Sequence, residues 1–313
     1  MATTKDPRGL QIVDPVLTNV ARQYRPSGFI ADQVAPVISV TEDAGQYPIF
    51  NGFFDDNVSN LVADRAVTPE IDFEFSTDSY LCKDRRLKVS LSAKEKRNAN
   101  AAVKLETSLL NRLLDSMALS REVRVANLLK KSSNGGGLNL GANASQKWNV
   151  DAATIEADIK AAQTAVYDKI GQQPDTIVIP WKVAYEMAIQ QDIREVLKYT
   201  VNGTDLVRLG ASILPDTIHG LNVIIPKGTV RNSANEGATE SLTEIWSDSV
   251  RVLHVGSNAG WGSPSTAYTF QSKPQMVDRW DEKDPPVEFI RAWSAVDEKV
   301  CAPDAGYEIA DCL

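Results

Sequence analysis

The stretch LSAKEKRNANAAVKLETSLLNRLLDSMALSREVRVANLLKKSSNGGG, residues 91–137, constrains the fold of this chain more than any other part of it. Val103, Leu110, Leu113, Leu114, Met117, Val125 and Leu128 recur at threes and fours, the spacing of an amphipathic helix. Ser92, three residues before Glu95, predicts a capping box at the start, although Asn98-Ala99-Asn100 can delay the helix to about Ala101. Ser132-Ser133-Asn134-Gly135 stops it. At about 1.5 Å per residue, a helix over 93–131 spans roughly 58 Å, more than the diameter of a compact domain of this size. Such a helix has to run along an edge of the molecule or reach toward a neighbouring subunit.

The segments on either side read differently. Residues 1–45 contain Pro7, Pro15, Pro26 and Pro36, which predicts an extended arm with at most a short helix over 15–24. In residues 46–90, Ile71, Phe73 and Phe75 alternate with Asp72 and Glu74, and Leu87, Val89 and Leu91 alternate with Lys88 and Ser90. The two runs predict a hairpin with STDSY, residues 76–80, as its turn. After the glycine-rich connector, DAATIEADIKAAQTAVYDKIG predicts a helix capped by Asp151 and stopped by Gly171. WKVAYEMAIQQ and DIREVLKYT predict further helices, and PDTIVIP, GLNVIIP, LTEIW and SVRVLHV predict strands. AYTFQ, PQMVDRW and EFIRAWSAV return the chain to strand, so the fold class expected is α+β.

Several kinds of function are excluded or disfavoured. No stretch approaches the roughly twenty apolar residues of a membrane span, and the N-terminus has no signal-peptide core, so folding in a cytoplasm and no membrane partner are expected. Cys82, Cys301 and Cys312 form no CxxC pair and are odd in number, which predicts free thiols rather than a disulfide framework or a zinc site. His219 lies in a turn and His254 in a strand, neither beside a recognisable nucleophile motif. NGGGLNLG has the glycines of a phosphate loop without its lysine and hydroxyl. Asp55-Asp56 and DEKD at 281–284 lack EF-hand spacing, and Trp280 and Trp293 read as core or interface anchors. The sequence therefore predicts no enzyme, no cofactor and no metal.

Charge is the sharper signal. The formal net charge is −8, which argues against a general nucleic-acid binder. From Thr41 to Tyr80 nine acids stand against Arg65 alone, a local −8; from Leu81 to Lys131 thirteen Lys and Arg stand against five acids, a local +8. One reading pairs Asp72 and Glu74 with Arg86 and Lys88 across the hairpin, each pair contributing a few tenths of a kcal/mol. The other lays the acidic ribbon across the basic helix of a neighbouring subunit, where many weak pairs set register. The two are compatible. Candidate intersubunit contacts are Asp55, Asp56, Asp72, Glu74, Arg85, Arg86, Lys88, Arg112, Arg121 and Arg124.

The order of parts carries a resemblance. A proline-rich arm, a ribbon ending RRLKVSLSAKEKRNAN, a helix ending SREVRVANLLKK, and an α/β unit with PDTIVIPWKVAYEMA and LPDTIHGLNVIIP resemble the major capsid proteins of tailed double-stranded DNA bacteriophages with the Hong Kong 97-like fold. The resemblance implies an N-terminal arm (1–45), an extended loop (46–90) reaching over a neighbour, and the spine helix of a peripheral domain (91–133). It further implies an axial domain (134–269) and the return strands of the peripheral domain (270–313). It implies many copies of the chain as hexamers and pentamers of an icosahedral shell, part of the virion and assembled in the host bacterial cytoplasm. The short arm points to a separate scaffolding protein; a portal and a decoration protein are the other implied partners. Lys5, Arg8, Arg22 and Arg25 against Asp6 and Asp14 leave the arm mildly basic, so contact with packaged double-stranded DNA is expected to be weak and non-specific. The alternatives are an encapsulin-like bacterial compartment shell and, from another class, a cytoplasmic α/β enzyme.

Overall fold

The computed structural model describes residues 13–24, 28–49, 61, 67–68, 76–98, 105–132, 135–150, 154–190, 214–227, 230–232, 239, 241–256, 265–283 and 286–313. Helix α1 (Pro15–Gln23) forms where the prolines leave room for it. Asp14 caps it by accepting the N–H groups of Val16 and Leu17 at 2.9 and 3.1 Å, and Pro15 occupies the first turn, where no N–H is needed. The arm is less detached than its prolines suggest. Leu17 and Ala21 of α1 are buried, as are Ile30, Val34 and Ala35 around the short helix α2 (Ala31–Val34). Strand β1 (Val37–Ser39) then joins a sheet.

Strand β2 (Ala44–Ile49) pairs antiparallel with β3 (Ser76–Leu81), so STDSY is strand and not the expected turn. One residue later β4 (Lys83–Ser92) takes a different partner. Residues 71–75 lie outside the described residues, and the partner of β4 among those described is β13 (Pro286–Val300), with Leu87 opposite Ala292, Val89 opposite Ile290 and Lys88 opposite Arg291. The physical reason is burial. Leu91 is buried and Val89 half-buried on the closing strands, which supply a larger apolar face than a two-stranded ribbon can, whereas Leu87 stays exposed. With β12 (Ala267–Lys283) the sheet runs β1–β12–β13–β4, and AYTFQ and PQMVDRW are one strand with register shifts between Gln271 and Met276.

The capping box forms as predicted: the Ser92 N–H donates to Glu95 Oε2 at 2.9 Å and the Glu95 N–H to Ser92 Oγ at 3.2 Å. It opens α3 (Ala93–Asn98), and α4 (Leu105–Leu128) follows, with residues 99–104 outside the described set. Helix α4 has 24 residues, roughly 36 Å, and ends three residues before the expected stop. Beyond it the chain reverses, with the Leu138 N–H donating to Lys130 O and the Ser132 N–H to Leu138 O. Leu110, Leu113 and Leu114 pack on Val277, Ile290 and Ala292 of the four-stranded sheet and on Leu17 and Ala21 of α1. Val125, Ala126 and Leu129 pack on Ile30, Val34 and Ala35 of the arm and on Trp246 and Leu253.

The second unit is a six-stranded sheet in the order β5–β14–β11–β6–β8–β7. These are β5 (Leu140–Asn143), β6 (Thr176–Val178), β7 (Thr217–Ile218), β8 (Leu221–Ile224), β11 (Val250–Leu253) and β14 (Gly306–Ala310). A small pair, β9 (Val230–Asn232) and β10 (Leu242–Glu244), stands apart. Helices α5 (Ile155–Ile170) and α6 (Trp181–Ile189) bury Ile159, Ala162, Val183 and Met187 against Ile177, Val252 and Ile309. Gly171, at φ 65°, ends α5 as expected, whereas the N-cap is Thr154 and Asp151 lies outside the described residues. His219 and Gly220, at φ 50° and 80°, form the two-residue turn between β7 and β8. The C-terminal strand β14, grouped by the resemblance with the peripheral return strands, pairs with β11 and β5 in this six-stranded sheet, so the chain passes from β13 of one sheet into the other.

Candidate assembly surface

Between Leu114 and Arg124, α4 stands over the four-stranded sheet, with the arm along one side and the edge strand β4 along the other. These walls enclose a groove of about 920 Å³. Arg22, Arg85, Arg86, Arg121 and Arg124 line it, against Asp32 and Asp84, and Leu87, Leu114, Met117 and Val296 supply apolar wall between them. Four of the cations singled out from sequence thus share one concavity.

Their circumstances differ. Arg124 grips Glu298 on β13 with two prongs, Nε at 3.0 Å and Nη2 at 2.6 Å, and the carboxylate is nearly buried. Arg121 pairs with Asp32 of the arm and donates from Nη2 to Thr269 Oγ1 at 3.1 Å. Arg121 and Arg124 are therefore engaged within the chain, to acids 89 and 174 residues away that sequence spacing could not indicate. Arg86 pairs with Asp84, and its guanidinium lies 5.8 Å from the centroid of Trp293. Lys88 stands 4.4 Å from the ring centroid of Phe289 and 6.0 Å from that of Trp280. Arg112 is exposed and has no ion-pair partner among the described residues. Arg85 Nε and Arg121 Nε are buried N–H donors without an acceptor among the described residues. Asp55, Asp56, Asp72 and Glu74 lie outside those residues.

A second polar cluster went unnoticed in the sequence. Glu122, fully buried on α4, accepts the Ala31 N–H at 2.9 Å, the Ile30 N–H at 3.2 Å and the Trp246 indole N–H at 2.6 Å. It thereby satisfies the otherwise unbonded amides that open α2 and holds the arm, the spine and the six-stranded unit at one point. Arg251, also fully buried, lies 5.0 Å from the Trp246 ring centroid and donates from Nε to Leu129 O at 2.9 Å, just past the end of α4. Its Nη2 is 3.5 Å from Glu308, which also accepts the Lys131 N–H at 2.6 Å. Burial pushes the Glu122 carboxyl above its usual range against the pull of its three donors, and burial brings the Arg251 guanidinium down to about 10. One signal was available: Glu122 falls on the stripe of Leu114, Ala118, Val125 and Leu129, where an acid is out of place.

The remaining candidates do not converge. His254 Nδ1 lies 3.1 Å from Gln173 O and 4.0 Å from Asp175, while the backbone of His219 accepts from Gln163. Gly135 and Gly136 occupy the connector after α4, where φ values of 82° and 78° need glycine. Trp280 stacks on Phe289 at 5.3 Å, and Trp293 is buried in the sheet. Cys82, Cys301 and Cys312 are free and buried, and burial pushes the last two thiols up to about 12. Among the described residues no three His, Cys, Asp or Glu side chains gather as a metal site, and no helix is long and apolar enough to cross a membrane.

No family model matches the chain. It is 24% identical over 311 residues to the major capsid protein of Burkholderia phage BcepMu, covering 96% of this chain and 97% of that one. Among solved structures, a phage-related protein from Bordetella bronchiseptica RB50 superposes with a TM-score of 0.70 at 20% identity, over 96% of this chain and 98% of that one. The capsid structure of cyanophage P-SCSP1u gives 0.60 at 10% identity, over 91% and 88%. The fold is the Hong Kong 97-like capsid fold, shared across nearly the whole length.

Proposed function

We infer that this chain is the major capsid protein of a bacteriophage, a structural protein and not an enzyme, whose copies associate into the shell of the virion. The observation that carries this is end-to-end likeness to a phage major capsid protein together with a capsid fold over the same length. The architecture suits the task. A spine helix fixed to a four-stranded sheet makes a rigid plate, and the six-stranded unit extends it into a second body, held by β14 and by the Glu122–Arg251 cluster.

In the finer reading, the copies form hexamers and pentamers of an icosahedral shell around double-stranded DNA, assembled in the host cytoplasm. Residues 1–45, 46–90, 91–133 with 270–313, and 134–269 act as arm, extended loop, peripheral domain and axial domain. A separate scaffolding protein, a portal and a decoration protein are the partners, and contact with DNA is weak. The exposed cations Arg86, Lys88 and Arg112 serve contacts between copies, whereas Arg121 and Arg124 contribute to them through the groove they line.

Sedimentation of the purified protein, alone and with a candidate scaffold, tests the reading. Particles of hundreds of copies are expected, and a uniform small oligomer in both preparations would contradict it. Nuclease-protected DNA in particles from infected cells separates a phage shell from a compartment shell, which would enclose protein cargo.

A further inference from the structure

We propose that the open edge of β4 takes up an acidic, extended segment of another protein as a fifth strand of the four-stranded sheet, in competition with contacts between copies. The competition rests on the shell reading above; the binding itself does not, and is read on the free subunit.

Strand β4 is ten residues long and closes the sheet on one side, and among the described residues only β13 pairs with it. Antiparallel pairing with β13 uses the N–H and C=O groups of alternate residues, so the others turn theirs toward the open edge. Such a row is a template for one more strand. The side chains leave it accessible, since Lys83, Asp84, Arg86, Leu87, Lys88 and Ser90 are all exposed. Leu87 is 39% exposed, an apolar side chain left over on the face toward α4.

Charge selects what the edge accepts. Lys83, Arg85, Arg86 and Lys88 stand along β4 against Asp84 alone. Cations on an edge keep like strands apart, and β4 of a second copy laid on it would set cation against cation. Lys88 has no carboxylate partner among the described residues, and its ammonium stands 4.4 Å from the ring centroid of Phe289. The two faces therefore ask for different neighbours: carboxylates beside Arg86 and Lys88, an apolar side chain beside Leu87. An extended peptide alternating acidic and apolar residues supplies both and completes the ladder, whereas a nucleic acid has no amides to offer it. The strand before β4 is no rival in the same chain. Residues 76–81 are paired with β2 and only Cys82 separates them from β4, so they run roughly 20 Å away from it and do not form the turn of a hairpin closing on it.

The test uses the full chain as free subunit and a fluorescein-labelled peptide of about ten residues alternating glutamate and valine. Fluorescence anisotropy should show binding that weakens about tenfold between about 0.05 and 0.5 M NaCl. Lys88→Glu should weaken it about tenfold as well, with thermal melting within about 2 °C of wild type. Two further peptides carry N-methyl groups on every second residue, in the one register or the other. An added strand turns only one set of its amides to β4, so one of them should lose about tenfold or more and the other stay within about threefold. No binding of the glutamate–valine peptide, equal effects of the two methylations, or equal binding of a lysine–valine peptide overturns the proposal. Binding seen only after Asp72→Lys with Glu74→Lys would give the edge to this chain's own acidic stretch and overturns it too. Where shells form, the glutamate–valine peptide should lower their yield about threefold or more, and an unchanged yield overturns the competition. Failure of the wild type to form shells would count against the capsid reading, while the anisotropy still decides the edge.

Discussion

The two ends of the spine are held by opposite kinds of interaction. At the start, Lys96 reaches Glu106 at 2.8 Å and Glu288 at 2.7 Å, while Arg279 reaches the same two acids at 3.2 and 3.1 Å. Two cations and two carboxylates alternate there, with Lys96 half exposed, Glu106 and Arg279 partly exposed and Glu288 buried. Near the end, Glu122 and Arg251 are fully buried and bond mostly to backbone groups and to Trp246. Solvated ion pairs are weak, screened by salt and tolerant of rearrangement, whereas buried charges are directional and collapse when a partner is lost. The difference makes the C-terminal half of α4 the end held by buried, directional bonds.

The contrast can be broken by mutation. Arg251→Ala leaves Leu129 O and Glu308 without their buried partner and should destabilise the subunit by about 3–5 kcal/mol in chemical denaturation. Glu122→Ala strands three N–H groups and should cost about 2–4 kcal/mol, with loosening of the arm visible as faster hydrogen exchange in residues 28–35. A loss under about 1 kcal/mol in either variant would contradict the fixed-end account.

Glu122 also gives a pH signature. Burial raises its carboxyl in the folded chain, so folding favours the protonated form there. Its contribution is complete below the unfolded value of about 4.3 and is lost as pH rises through the higher folded value. The stability of wild type relative to Glu122→Gln should therefore fall as pH rises above the unfolded value of about 4.3. A difference that grows with pH would show that the three donors outweigh burial.

Smaller effects belong at the other end. Arg279→Ala should change stability by about 1 kcal/mol or less, and the change should shrink in 1 M salt. Arg112→Ala should leave the free subunit within about 0.5 kcal/mol of wild type and act, if at all, on assembly.

Local signals in the chain were strong enough to read directly. The Ser92–Glu95 box, the Gly171 stop and the helix after Asp14 each follow from a few neighbouring residues and appear in the structure. Partner choice was not readable in the same way. STDSY has turn composition yet is strand, because Ala44–Ile49 offers it a ladder across the intervening residues 50–75. Val89 sits in an alternation any strand would show, and only the fold reveals that it packs with Ile290 and Ala292 of β13. The charge blocks showed where cations concentrate. They could not show that Arg121 and Arg124 are held by Asp32 and Glu298, since ion pairs at that separation leave no pattern in spacing.

Negative-stain microscopy of the purified protein, expressed alone and then with a candidate scaffold, tests the central claim most directly. Closed polyhedral shells, or hexameric and pentameric tiles, are the predicted result. Small uniform oligomers in both preparations would contradict it.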